Sequence, residues 1–190
     1  NIGHPVCGDR VVWQMTGGNQ GVVTAVLERS TVLSRPDHSG RDKPLAANLT
    51  RLVVLIAPRP EPSEYLIDQY LAAAELMGVE ATIACNKIDL LTATELSALE
   101  DRFSRYRTIG YRMIWISLHE SVGLASLSQC LEGEISILVG QSGVGKSSLV
   151  KALLPDRDVQ IGRLSRATGL GRHTTSATTC YRLPAGGYLI

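Results

Sequence analysis

The sequence predicts two parts: a small all-β unit, either an antiparallel barrel or a meander, then an α/β domain carrying a P-loop. Three observations predict this. Short β-branched runs separated by turn residues fill positions 4–35, the texture of a compact antiparallel unit. From Leu52 onward, buried-strand runs alternate with amphipathic stretches, the signature of an α/β domain. Finally, Gly140, Gln141, Ser142, Gly143, Val144, Gly145, Lys146 and Ser147 make a full match to G-x-x-x-x-G-K-[ST].

In the first part, residues 10–13, 21–26 and 31–33 read as strands, with the turn-rich segment 16–20 between the first two. Residues 35–44, rich in Pro, Asp, Gly and charge, read as a linker or exposed loop. The α/β pattern opens with a strand at 52–57. After Pro58, Arg59, Pro60, Glu61 and Pro62, the apolar residues Leu66, Ile67, Tyr70, Leu71 and Ala74 recur at helical spacing, and Gly78 supplies a C-cap. A strand at 81–85 follows. Thr92 and Glu95 form a capping-box pair that opens a helix running to about Tyr106. Strands at 112–116 and 135–139 enclose a short helix at 124–131, and a helix from Lys146 to Leu154 stops at Pro155. Residues 162–176 read as a mobile loop, and 177–183 with 188–190 as a hairpin around Pro184, Ala185, Gly186 and Gly187.

The 190 residues are 44% apolar and 19% charged, an ordinary globular composition. A net charge of +1 excludes a strongly basic nucleic-acid tail and an acidic disordered segment, so any RNA-binding surface must come from local clustering. Cys7, Cys85, Cys130 and Cys180 form no C-x-x-C pair, which argues against structural zinc. Cys85 and Cys180 lie in strand-like runs and read as buried reduced thiols of an intracellular protein. No apolar run approaches the roughly 20 residues of a membrane span, and no signal peptide is visible. The chain starts at Asn1 and finishes in an apolar run ending at Ile190, so both ends read as cut.

The P-loop falls where its mechanism requires, between a strand and a helix. Glycines 140, 143 and 145 let the backbone wrap a phosphate chain, turning successive N–H groups and the helix N-terminus toward its charge. Lys146 then reaches the β- and γ-phosphates, and the Ser147 hydroxyl ligates magnesium. A Gly-rich turn that binds nothing is the plainer alternative, disfavoured by the complete pattern in this setting. The base is read by Asn86, Lys87, Ile88 and Asp89, directly after a strand. A carboxylate at 89 accepts from N1–H and the 2-amino group of guanine, an edge that adenine lacks, while Asn86 bonds N7 or O6 and the Lys87 stem lies under the base. Such tetrapeptides also occur as surface turns; a place at the carboxyl end of a parallel strand favours the ligand reading. Ser117 and Leu118 offer a backbone N–H to O6. In the loop Gly169, Leu170, Gly171, Arg172, His173, Thr174, Thr175 and Ser176, a threonine is placed to ligate magnesium and sense the γ-phosphate, the alternative being an ordinary Thr-rich loop. Asn86 precedes Gly140, the reverse of the usual order, and no second N-K-x-D follows Ser147. Either the tetrapeptide is a coincidence or the domain is circularly permuted.

Taken together, the chain resembles the circularly permuted, small-subunit-dependent GTPases of the RsgA/YjeQ family. The resemblance is carried by Gly8-Asp9-Arg10-Val11, Leu33-Ser34-Arg35-Pro36, Ala46-Ala47-Asn48, Asn86-Lys87-Ile88-Asp89-Leu90, Gly110-Tyr111, Gly140 to Ser148 with Leu149, and Gly171-Arg172-His173-Thr174-Thr175. It implies an N-terminally truncated OB-fold over residues 1–45, with Arg10, Trp13, Arg29 and Arg35 as RNA contacts, then a permuted P-loop GTPase domain over 46–190. It implies GTP/GDP and Mg as ligands, with Asn86, Lys87, Asp89, Ser117 and Leu118 at the base. Gly140, Ser142, Gly143, Val144, Gly145, Lys146, Ser147 and Ser148 hold the phosphates; Ser147, Thr174 and Thr175 hold the metal. His173 matches the histidine that positions the attacking water, and Lys146, His173, Thr174 and Thr175 form the catalytic set. Ser176 stands where a third threonine is commoner. The family's D-T-P-G motif is expected after Ile190, and its C-terminal zinc domain is absent, so Zn is not expected in this segment. The implied protein is a cytoplasmic monomer that binds the small (30S) ribosomal subunit and its 16S rRNA late in maturation, hydrolysing GTP under subunit stimulation. A GTP-dependent RNA switch with negligible turnover and a permuted GTPase of the large subunit are the alternatives.

Overall fold

The computed structural model describes residues 4–18, 20–36, 39–154 and 179–190. The strands of the N-terminal part are β1 (Val11–Gly17), β2 (Gln20–Val26), β3 (Val32–Pro36) and β4 (Asp42–Ala47). They pair as two antiparallel ribbons, β1 with β2 and β3 with β4, and no ladder joins the ribbons among the described residues. Of residues 35–44, expected to be a linker, 35–36 and 42–44 are instead strand residues of the second ribbon. Pro44, which argued for a loop, is tolerated because it pairs with Ser34 beside a register shift in a two-stranded ribbon, where a missing donor costs little. Cys180 also departs from expectation: it is exposed and precedes the strand at Tyr181, whereas Cys85 is buried and its thiol is pushed up to about 12 by desolvation.

The α/β part contains β5 (Arg51–Ile56), α1 (Glu64–Met77), β6 (Glu80–Cys85), a 3-10 turn (Ile88–Leu90), α2 (Ala93–Thr108), β7 (Arg112–Trp115), α3 (Leu124–Leu131), β8 (Ile135–Val139), α4 (Lys146–Leu153), β9 (Tyr181–Arg182) and β10 (Tyr188–Leu189). Helix boundaries follow local chemistry. Ser63 caps α1 through the Leu66 N–H, and Gly78 closes it in the left-handed conformation with φ +67°. Thr92 and Glu95 form the anticipated capping box of α2.

One six-stranded sheet runs β7-β6-β5-β8-β10-β9, parallel except for β9. From β5 the chain steps outward through β6 to β7, then returns to the other side of β5 as β8. That reversal leaves a crevice at the carboxyl ends of β5 and β8, the point where doubly wound sheets bind ligands. Strand alternation sends Val53, Leu55 and Ala84 to one face, under α3 and α4, and Leu52, Val54, Ile56 and Ile83 to the other, under α1 and α2.

The β3–β4 ribbon joins the second of these cores through Ala46 and Leu33. Its last residues are pinned by Asn48, which is buried with φ +55°. Asn48 accepts from the Ser30 N–H at 2.9 Å and donates Nδ2 to the Gly8 carbonyl at 2.9 Å. Replacing it with alanine leaves part-buried hydrogen-bonding groups on two segments unpaired and strains the left-handed backbone. Asn48→Ala is therefore expected to lower unfolding free energy by about 2 kcal/mol, with an Asn48→Gly control retaining part of it, measured by urea denaturation.

Candidate functional site

Both sequence motifs reach the same end of the sheet. The phosphate loop leaves β8 and enters α4, whose N-cap is Gly145 with φ +99°. A Cβ on Gly140 would collide with the Leu55 carbonyl, and one on Gly145 with the Asn86 amide. The glycines thus serve close approach as well as wrapping. Val144 is buried, Gly140, Lys146 and Ser147 are half-buried, and Ser142, Gly143 and Ser148 are exposed at the mouth.

Asn86 follows β6 and is buried. Its Nδ2 donates to the Val144 carbonyl at 3.0 Å, tying the base-reading tetrapeptide to the phosphate loop across the width of β5. That nitrogen carries a second hydrogen for an acceptor such as guanine N7, while Oδ1 is buried without a partner among the described residues. Lys87 adopts φ +64°, an unusual conformation for a non-glycine residue, and its ammonium donates to the Gly143 carbonyl at 2.6 Å. A strained lysine bonded to the phosphate loop supports the ligand reading of the tetrapeptide over a surface turn.

Asp89 is exposed, and its Oδ1 accepts from the buried Ser117 hydroxyl at 2.7 Å. The same hydroxyl oxygen accepts from the Glu120 N–H at 3.0 Å, so its proton is directed to the carboxylate. Of the pair Ser117 and Leu118, expected to offer a backbone N–H to the base, the Ser117 N–H is committed to the Val122 carbonyl at 3.1 Å. The Ser117 side chain is what reaches the tetrapeptide, through Asp89. Sequence reasoning missed this because the closure of loop 117–123 depends on Gly123, whose Cβ would overlap the Trp115 carbonyl.

Lys146 folds back onto the loop, donating to the Gly140 and Gln141 carbonyls at 2.7 Å each. Burial pulls its pKa below the ordinary lysine value. Phosphate oxygens at the mouth would offer this partly desolvated ammonium a charged acceptor in place of two neutral ones. Among the described residues no group of three His, Cys, Asp or Glu gathers as a metal cage. The half-buried Ser147 hydroxyl at the start of α4 fits a magnesium ion that takes most of its ligands from phosphates and water.

The remaining candidates divide. His173, Thr174 and Thr175 lie outside the described residues. Arg10 and Trp13 are exposed on the N-terminal part. Arg29, offered as an RNA contact, is held by both oxygens of Asp9 at 2.7 and 2.8 Å, so its guanidinium is engaged within the protein. Asp9 in turn is kept below the usual carboxylate range, chiefly by that bond.

A P-loop after β8, an N-K-x-D after β6 and a sheet that reverses between them define a P-loop nucleotide-binding fold in circularly permuted order. The RsgA GTPase family model matches residues 26–190, and the chain belongs to that family. It is 46% identical over 190 residues to the small ribosomal subunit biogenesis GTPase RsgA of Pseudomonas syringae pv. tomato, covering 100% of this chain and 55% of the relative. RsgA 1 of Vibrio vulnificus YJ016 is 45% identical over 189 residues, covering 97% and 54%. The chain thus spans about half the length of these relatives. Among solved structures, YjeQ from Thermotoga maritima matches with a TM-score of 0.75 at 29% identity, over 98% of this chain and 59% of that one. YloQ, a circularly permuted GTPase, matches with a TM-score of 0.63 at 29% identity, over 81% and 52%.

Two substitutions probe the geometry. Gly145→Ala forces apart the loop and Asn86 and is expected to weaken guanine-nucleotide binding at least tenfold by isothermal titration. Lys146→Met is expected to abolish nucleotide-dependent thermal stabilisation without lowering the nucleotide-free melting temperature. Because burial depresses the folded-state pKa, the cost of the charged lysine is fully present at pH below that folded value. It fades as pH rises from the folded value toward 10.5, so the variant's advantage should shrink over that range.

Proposed function

We propose that the protein is a GTPase that binds the small ribosomal subunit late in its maturation and hydrolyses GTP to GDP and phosphate with stimulation by the subunit. The observation that carries the GTP part is the bond network joining base reader to phosphate loop: Ser117 to Asp89, Asn86 to Val144 and Lys87 to Gly143. The ribosomal part is supported by the printed function of the RsgA relatives.

In this reading Asp89 accepts the N1–H and 2-amino group of guanine, while the second hydrogen of Asn86 Nδ2 goes to N7. The amides of residues 142–148 and the Lys146 ammonium receive the phosphates and stabilise charge on the transferred group. Ser147 with Thr174 or Thr175 would hold magnesium, which when bound neutralises charge between the β- and γ-phosphates. His173 orients the attacking water. Residues 1–45 belong to an OB-fold that contacts 16S rRNA, with Arg10, Trp13 and Arg35 as contributors, and residues 46–190 form the GTPase domain. The protein acts as a cytoplasmic monomer. No helix among the described residues is long and apolar enough to cross a membrane.

Asp89→Asn is expected to shift preference from GTP to xanthosine triphosphate by roughly 10⁴-fold or more, read as the ratio of the two binding constants. Unchanged GTP affinity would remove Asp89 from the base site. Single-turnover hydrolysis by the full-length protein with separated subunits tests the rest. Acceleration by small subunits alone is the expected result; no acceleration favours the switch without turnover, and acceleration by large subunits favours the other ribosomal partner.

A further inference from the structure

The crevice between β5 and β8 has two rims. One is the phosphate loop after β8; the other, residues 58–62 after β5, is the segment Pro58-Arg59-Pro60-Glu61-Pro62, to which no role has been given. Two contacts join the rims. The Pro60 ring is the nearest group to the place where a side chain on Gly143 would begin, 3.6 Å away. Lys87, besides donating to Gly143, reaches the Arg59 carbonyl at 3.4 Å. One ammonium therefore bridges both rims while its stem serves the base.

The proline segment is anchored from outside by α2. Arg102 donates Nε to Glu64 at 2.7 Å, one terminal nitrogen to Glu61 at 3.2 Å and the other to the Pro62 carbonyl at 3.5 Å. Arg105 adds a bond to the second oxygen of Glu64 at 2.6 Å. The carboxyl of Glu64 is held below its ordinary range first by the Arg102 bond. Isolated exposed ion pairs contribute little, but here one guanidinium makes two contacts to a segment that prolines already stiffen and a third to Glu64 at the start of α1. A continuous chain of contacts runs from α2 through Glu61 and Pro62, then Pro60 and Arg59, to Gly143 and Lys87.

We propose that residues 58–62 form a clamp on the nucleotide site, with Pro60 and the Arg59 carbonyl positioning Gly143 and Lys87, and Arg102 positioning the clamp. The clamp's task is to slow nucleotide release: while it is seated, the exposed phosphate-loop residue Gly143 and the base-reading lysine are held in one geometry. The proposal rests on guanine-nucleotide binding as read above. It adds positioning residues outside both motifs, one of them on α2.

Release of a fluorescent N-methylanthraniloyl GDP from the full-length protein, chased with excess GDP, reads the clamp directly. Pro60→Gly and Arg102→Met are each expected to speed release about five- to tenfold, the size of a modest lost contact, with association rate and melting temperature little changed. Arg102→Lys should restore only part of the slow release because it cannot make three directed bonds. In a Lys87→Met background, Pro60→Gly should add less than it does in the parent, since one of the two contacts joining the rims is already gone. Unchanged release rates in both single variants, or additive effects in the double variant, would overturn the clamp while leaving nucleotide binding intact. Failure of the parent protein to bind the probe at all would instead bring down the functional reading, and the clamp with it.

Discussion

The site depends on one hydrogen bond, from Asn86 Nδ2 to the Val144 carbonyl. Strand pairing alone sets β6 and β8 on opposite sides of β5, with their loops facing the same way but independent. The buried amide converts two loops into one. Gly145 is obligatory partly for this reason, since any side chain there would occupy the space of that amide. Lys87 reinforces the link from the surface at the cost of a left-handed backbone, a strain that its contact to Gly143 offsets. The price is a buried Asn86 oxygen without a partner among the described residues, the kind of unsatisfied group that functional sites retain.

Electrostatic preparation follows the same logic. The Lys146 ammonium is desolvated and rests on two carbonyls, the Asp89 carboxylate is oriented by Ser117, and α4 presents its N-terminus at Gly145. None of these arrangements maximises stability by itself. Each fixes a charge or dipole in place before a ligand arrives, so less reorganisation remains to oppose binding. The glycines and the strained lysine do for the backbone what these groups do for the charges.

Much of this was legible from the residues. Buried-strand runs located β5, β6 and β8, Thr92 with Glu95 fixed the start of α2, and Gly78 its predecessor's end, because each signal is local. The motif order announced permutation before any contact was known. What escaped reading was long-range or lacked a periodic signal. The β3–β4 ribbon was hidden because Pro44, Asp42 and Lys43 are loop-like in isolation and become a strand only through pairing with residues 34–36 and packing of Ala46 on the α/β core. The side-chain role of Ser117 was hidden because its N–H is consumed by a turn that closes five residues later. Arg29 looked available because nothing in its neighbourhood announces Asp9, twenty residues away.

The return of β8 to the inner edge of β5 has a consequence for how the polypeptide comes into being. As the chain emerges in order, β5, β6 and β7 can pair outward one after another, each with its immediate predecessor, and all carry the base-reading half of the crevice. The phosphate half arrives later, at an edge of β5 that has waited unpaired through that whole interval. An exposed parallel edge invites wrong partners. Arg51, at the first position of β5, is among the residues that β8 meets: its guanidinium bonds Glu80 of β6 and Glu134 just ahead of β8. A charged residue there discourages pairing with apolar strangers and rewards the strand that brings the matching carboxylate. The newborn sheet thus carries at its amino end an address label for the segment that completes it.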